Sequence, residues 1–318
     1  MLSFPDFKEK QLLFIESYMM KGISFQNDNL VIKDDGKVVN RVSCHKIFCI
    51  FIIGEMTITS KLIQKFLEYG ISLFLLKKNF STYLAIGNET KGNFLLRKKQ
   101  YNKEDTLYIA KHLVKLKTSN QLILLKSIRE KSKDLKEDIS VCEKLICSID
   151  TVTEDASLLG IEGNMSKIFF EHYFESVGWY ARKPRTKVDI VNLLMDIGYT
   201  YLFNFMDALI RLYGFDEYCG VYHKLFYQRK SLVTDLMEPF RCIIDKAILK
   251  AYNLKQIDEK DFGFSQNQYV LERKNAQKYT RIFLQAIMEN KEEMFYFVRD
   301  YYKTFIKDGD TFPSFTIK

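Results

Sequence analysis

The sequence predicts an α+β protein: a small N-terminal β-rich domain over residues 1–90, followed by a larger all-α domain over residues 91–318. Two observations predict it. Alternating patterns and short, continuous apolar runs dominate residues 1–90, as strands require. From "FLLRKKQY" onward, apolar residues recur at helical spacing with few glycines, and the change falls near residues 88–94, after "STYLAIGNETKG". A length of 318 residues suits about two domains with a substantial core.

The elements follow in order. "NLVIKDDGKVVNRV" alternates around Asp35-Gly36, a hairpin signal. "FCIFIIG" is an unbroken apolar run, the pattern of a strand buried on both faces. "TSKLIQKFLEYG" places Leu62, Ile63, Phe66 and Leu67 at helical spacing and stops at Gly70, a natural C-cap. "ISLFLL" is a second buried strand, giving strand, helix, strand. The turn "GEMT" after the first of these lacks the glycine fingerprint of a dinucleotide site, which excludes that reading. Residues 111–147 read as long amphipathic helices whose mixed charges, as in "LLKSIREKSKDLKEDISVCEKLI", form a solvated face.

Hydrophobic content of 47% and only four prolines describe an ordered globular chain. The net charge of +8 suits an acidic partner, nucleic acid or an anionic surface, or is plain surface charge. "MLSFPDFKEKQLLFIESY" lacks the parts of a signal peptide. The longest apolar run, "IFCIFIIG", is far short of the roughly 20 residues that span a bilayer. A soluble, cytoplasmic protein with no membrane partner is expected. Six cysteines lack C-x-x-C spacing, so they are expected to be reduced, mostly buried thiols.

Two segments are chemically informative. In "IEGNMSKIFFEHYF", a helical step of about 100° per residue puts Glu162 on one stripe with Met165, Phe169 and Tyr173. A carboxylate there needs a cation, a metal or a proton as compensation. The alternative is that Glu162 is a half-exposed acid of the first helical turn. In "YHKLFYQRKSLVTDLMEPFR", a helix from Ser231 puts Leu232, Val233, Leu236, Met237, Phe240, Ile243 and Ile244 on one side. Asp235, Glu238 and Asp245 fall on the other, which taken alone predicts a solvent-facing acidic edge. Pro239 breaks or kinks such a helix and can turn Glu238 away from its surface. His223 is one of four histidines and reads either as a structural residue or as a ligand. If Glu162, His223 and Glu238 meet, their two carboxylates and imidazole suit Mg²⁺ or Mn²⁺.

The blocks "FLEYGISLFLLKKN", "IEGNMSKIFFEHYF", "RKPRTKVDIVNLLMDIGYTYL" and "YGFDEYCGVYHKLFYQRKSLVTDLMEPFR" together resemble the CRISPR-associated integrases of spacer acquisition. Their order and spacing match over about residues 40–300. The resemblance implies a metal-dependent DNA endonuclease and integrase that inserts spacers into a CRISPR array. It implies metal ligands at Glu162, His223 and Glu238, with Asp235 as a second acid of the catalytic site. It also implies double-stranded DNA (protospacer and CRISPR repeat) as substrate and a homodimer formed through the N-terminal β-rich domain. A small ferredoxin-like adaptation protein would complete a heterohexamer. Arg182, Lys183 and Arg185, and also Arg97, Lys98 and Lys99, are candidate phosphate contacts or ordinary surface charge. Phe215, Glu217 and Tyr222 depart from the family's common leucine, proline and leucine, and none of the three is expected to touch the proposed ligands. Two further readings are a non-catalytic DNA-binding scaffold and a stand-alone metal phosphodiesterase.

Overall fold

In the computed structural model, residues 3–17, 22–87, 93–223 and 228–318 are described. The predicted boundary near 88–94 falls mostly on residues outside that set, between a strand ending at Ile86 and a helix starting at Phe94.

The N-terminal part holds α1 (Phe4–Lys8), β1 (Gln11–Glu16), β2 (Gly22–Gln26), β3 (Asn29–Asp34), β4 (Lys37–Ser43), β5 (Ile47–Ile53), α2 (Ser60–Glu68), β6 (Ser72–Leu76) and β7 (Thr82–Ile86). Asp35 and Gly36 both have positive φ, the geometry of the two-residue hairpin their types predict. β2, β3 and β4 form an antiparallel meander. The second sheet has the order β1-β5-β6-β7, parallel across β1-β5-β6 and antiparallel at β7. α2 ends as expected: the Gly70 amide donates to the Leu67 carbonyl and the Ile71 amide to Phe66, a Schellman close that only a left-handed Gly70 allows cheaply.

Every residue of β5 is buried because both faces of the sheet are covered. Ile47, Ile50 and Ile52 join Leu62 and Phe66 of α2 and Leu30 of the meander. Phe48 and Phe51 face the helices, where their rings meet Phe205 and Tyr201 edge-on. The core thus runs without a break from sheet to helices.

The remaining helices are α3 (Phe94–Tyr101), α4 (Leu107–Lys126), α5 (Lys133–Ser148), α6 (Asp155–Tyr173), α7 (Ile190–Tyr213), α8 (Ser231–Met237), α9 (Arg241–Asn253), α10 (Arg273–Glu289) and α11 (Lys291–Ile306). This part is helical as expected, apart from one short hairpin. β8 (Phe262–Ser265) and β9 (Gln268–Leu271) form a hairpin whose turn, Gln266-Asn267, has positive φ at both residues. α7 is the central post, capped by the Asp189 side chain at its start and by left-handed Gly214 at its end. Gly198 lets its neighbours close in, since a Cβ there would stand 2.5 Å from Ile244 of α9 and 3.0 Å from Phe283 of α10. Among the described residues, no helix is long and apolar enough to cross a membrane. Of the six cysteines, Cys44, Cys49, Cys142 and Cys242 are buried; all are free thiols.

Candidate active site

Glu162 sits in the middle of α6, which begins at Asp155, so it is no first-turn acid. Leu158, Met165, Phe169 and Tyr173 share its stripe and are buried with it. The carboxylate is 8% exposed and has two partners. Lys117 of α4 reaches Oε1 at 2.5 Å, and the Tyr222 hydroxyl donates to Oε2 at 2.5 Å. The compensating cation that the buried stripe demands is therefore Lys117. Tyr222, a departure from the family pattern, corrects one expectation: it does touch a proposed ligand.

Asp235, Glu238 and Asp245 are 1%, 6% and 2% exposed, not a wet acidic edge. α8 is itself buried along its length, so both of its faces need partners. At Pro239 the helix gives way to a 3-10 turn, Glu238–Phe240, before α9 resumes at Arg241. That break turns Glu238 toward Lys117, 2.7 Å from its Oε2, and toward Arg241, 2.9 Å from its Oε1. Burial alone would raise the Glu238 pKa, but Arg241 and Lys117 outweigh it and hold the group down at about 2. Burial likewise opposes charge on Lys117, yet Glu238 and Glu162 keep it above the ordinary lysine value.

Asp235 anchors the loop that carries the histidine. Its Oδ2 accepts the amides of Val221 and Tyr222 at 2.6 and 3.0 Å. Its Oδ1 accepts the His223 amide at 2.9 Å and faces the ring Nδ1 at 2.6 Å. All four contacts occupy this carboxylate, so Asp235 positions the histidine instead of facing the cleft as a ligand. With Nδ1 held at Asp235, Nε2 is the ring nitrogen left directed away from it. Gly220 makes the approach possible, because a Cβ there would lie 2.6 Å from Asp235 Oδ2 and 2.7 Å from the Ser231 side chain.

Glu162, His223 and Glu238 line one cleft of about 1140 Å³, whose wall also carries Arg182, Arg185, Arg229 and Arg241. Arg185 and Arg229 have no ion pair among the described residues. Arg182 is held by Asn192 at 2.8 Å and Asp196 at 2.5 Å, whereas exposed Lys183 is not among the lining residues. Arg97, Lys98 and Lys99 lie elsewhere: Arg97 donates to the Gly214 carbonyl and Lys99 to that of Ile306. Deeper in the wall, Tyr199 donates to Asp245 at 2.5 Å and Arg241 stacks over the Tyr199 ring at 4.6 Å. Burial raises the Asp245 pKa to about 7, with Tyr199 and Arg241 pulling the other way.

Among the described residues, no three His, Cys, Asp or Glu side chains form a ready metal cage, because Lys117 stands between the two glutamates. The donor set nevertheless fits a hard divalent cation. It offers two carboxylates that already share one positive charge and an imidazole nitrogen in the same cleft. Glu238 Oε2 is a buried acceptor with no aligned hydrogen-bond donor.

Phe215, Glu217, Lys117 and Arg241 also bear on the site. Phe215 packs against Tyr301 and Tyr302. Glu217 pairs with Arg211 at 2.6 Å, fixing the start of the loop that leads to His223. Lys117 lies within residues 111–147, which read as helices with a solvated face, and Arg241 stands at the end of a block read for its acids, so neither carried a sequence signal of its own.

The sequence profile described as "CRISPR associated protein Cas1" matches residues 17–285. The chain is 32% identical over 225 residues to CRISPR-associated endonuclease Cas1 1 of Thermodesulfovibrio yellowstonii, covering 67% of this chain and 71% of that one. Two solved structures share its fold. A casposase bound to integration product has a TM-score of 0.79 at 20% identity, covering 95% of this chain and 92% of that one. A chain of a Cas6-RT-Cas1–Cas2 complex has a TM-score of 0.82 at 21% identity, and there the match covers 98% of this chain but only 36% of the larger one.

Proposed function

From the premise that this chain belongs to the CRISPR-associated Cas1 family, we propose that it is a metal-dependent DNA endonuclease and integrase that inserts spacers into a CRISPR array. One observation carries the reading: Glu162 from α6, His223 from the loop before α8 and Glu238 from the 3-10 turn line a single cleft edged with guanidinium groups. Glu162, Glu238 and His223 Nε2 would hold Mg²⁺ or Mn²⁺ once Lys117 withdraws. When bound, such an ion neutralises phosphoryl oxygens and lowers the pKa of an attacking hydroxyl.

The chain's own residues do the rest. Asp235 keeps the imidazole oriented, while Tyr222 and Arg241 fix the two carboxylates. Arg185 and Arg229 are positioned to take backbone phosphates without reading sequence. A 3′-hydroxyl of the incoming DNA gives up its proton and forms a P–O bond while the target's own 3′-oxygen leaves and takes one up. No covalent nucleophile from the protein is needed; the protein's contribution is alignment and charge neutralisation. The same site with water as attacker nicks DNA.

The partners proposed with this reading are double-stranded DNA (protospacer and repeat), a second copy through the N-terminal β-rich part, and a small ferredoxin-like adaptation protein in a heterohexamer, acting in the cytoplasm. The name of one structural relative, a Cas6-RT-Cas1–Cas2 complex, supports a second Cas protein as partner.

The test is strand transfer of a short duplex with free 3′-hydroxyls into a supercoiled plasmid bearing a repeat. It is run with and without the small partner, in Mg²⁺ or Mn²⁺. Metal-dependent joining lost in Glu162→Ala and His223→Ala is the expected result. DNA binding with neither joining nor nicking in any metal would hand the chain to a scaffold role, and nicking alone to a phosphodiesterase.

A further inference from the structure

α9 has two working faces. Arg241 and Asp245 face the catalytic cleft, and stepping about 100° per residue puts Ile243, Lys246, Ala247 and Lys250 on the opposite side. That side forms a second groove with α10, of about 1130 Å³. Its walls carry Lys246, Lys250 and Lys255 from α9 and its end, and Lys274, Lys278 and Arg281 from α10. The spacing on α10 is i, i+4, i+7, so its three cations form one row. Glu289 is the sole acid among the described lining residues.

Like charges in such a row repel one another, and two rows facing across a groove add to the cost. Local acids relieve part of it: Lys278 pairs with Asp261 at 2.6 Å and Lys274 with Glu272 at 2.9 Å. Lys246 donates to the Lys318 carbonyl. Lys250, Lys255 and Arg281 have no ion pair among the described residues and are exposed. The floor, with Ile243, Ala251 and Ala286, is apolar and offers no counter-charge. An extended polyanion laid along the groove matches the two rows; a single small anion satisfies only one end.

We propose that the α9–α10 groove binds the sugar–phosphate backbone of duplex DNA, one helix thickness behind the catalytic cleft. This rests on the reading of the chain as a DNA integrase and extends it. An integrase must hold two DNA segments, and a second phosphate track behind α9 would steady the flank of one while the cleft engages the other. The contacts are to phosphate, so they add affinity without sequence preference.

The experiment measures binding of the full-length protein to a 40-bp duplex (a length of roughly four helical turns) by fluorescence anisotropy across a salt series. Wild type is compared with Lys250→Ala/Lys255→Ala/Arg281→Ala and with the charge-keeping Arg281→Lys; melting curves verify folding. The triple variant is expected to bind about 10- to 100-fold more weakly at moderate salt, with a salt slope smaller by about 2 to 3. Arg281→Lys is expected to bind as wild type does. Wild-type binding with an unchanged affinity and slope in the triple variant overturns the groove alone. A loss seen with single strands but not with duplex overturns the assignment to duplex. A wild-type protein that binds no DNA overturns the integrase reading itself, a separate and distinguishable result.

Discussion

Asp235 grips His223 twice: one carboxylate oxygen accepts the histidine's amide at 2.9 Å and faces its ring Nδ1 at 2.6 Å. The other oxygen takes the two preceding amides. Asp235→Asn turns an NH₂ group toward donors that need an acceptor. Stability is expected to fall by about 2–4 kcal/mol, with joining reduced about 10- to 100-fold. A purely structural role would leave the Mn²⁺ dependence unchanged; a role in presenting Nε2 shifts half-maximal activity to higher Mn²⁺, and a titration of folded protein decides between them.

Lys117 is the counter-ion of two buried carboxylates from different helices. Lys117→Ala leaves Glu162 and Glu238 facing one another without it, which is expected to cost about 3–5 kcal/mol in metal-free buffer. Millimolar Mn²⁺ should return most of that loss, and more than it adds to wild type. Equal melting temperatures for variant and wild type in chelator would sink this account of Lys117.

Asp245 gives stability a pH dependence of unusual sign. Its pKa rises from 3.8 to about 7 on folding, so between those values the native state binds the extra proton. Its contribution is complete below about pH 4 and is lost as pH rises through 7, an effect of a few kcal/mol. Asp245→Asn keeps an uncharged group beside Tyr199 and should flatten that part of the curve. Denaturant melts from pH 4 to 8 test this, and an unaltered slope refutes it.

Gly220→Ala would force a methyl group against Asp235 and Ser231. Residues 220–223 must then move off α8, carrying His223 with them. Joining is expected to drop at least about 10-fold while the far-UV spectrum is unchanged; full activity in this variant would show that the loop position is immaterial.

The sequence patterns that respond to local physics read through cleanly. Asp35-Gly36, the unbroken apolar β5 and the Gly70 stop of α2 each depend on neighbours a few residues away. The stripe of Glu162 was legible as one of two readings, since it is set by α6 alone. What escaped depends on partners remote in sequence. Asp235 and Asp245 fall on the polar side of their helices, yet that side is covered by the His223 loop and by Tyr199. Lys117 lies in "KHLVKLKTSNQ", where the lysines have no acidic neighbour, and only the packing of α4 against α6 reveals its role. The β8–β9 hairpin alternates recognisably in "FGFSQNQYVL", but its Gln-Asn turn is a weaker signal than Asn-Gly or Asp-Gly.

The arrangement of Lys117 and Arg241 against Glu162 and Glu238 sets two positive charges against two negative ones. The charges of these four side chains therefore balance among themselves, unlike those of a zinc finger, whose ligands repel until the ion arrives and whose fold collapses without it. Chelation should silence this protein while leaving it folded, and restoring the ion should revive it without refolding. On the proposed metal-dependent reading, activity follows ion supply and DNA, not synthesis of new chain.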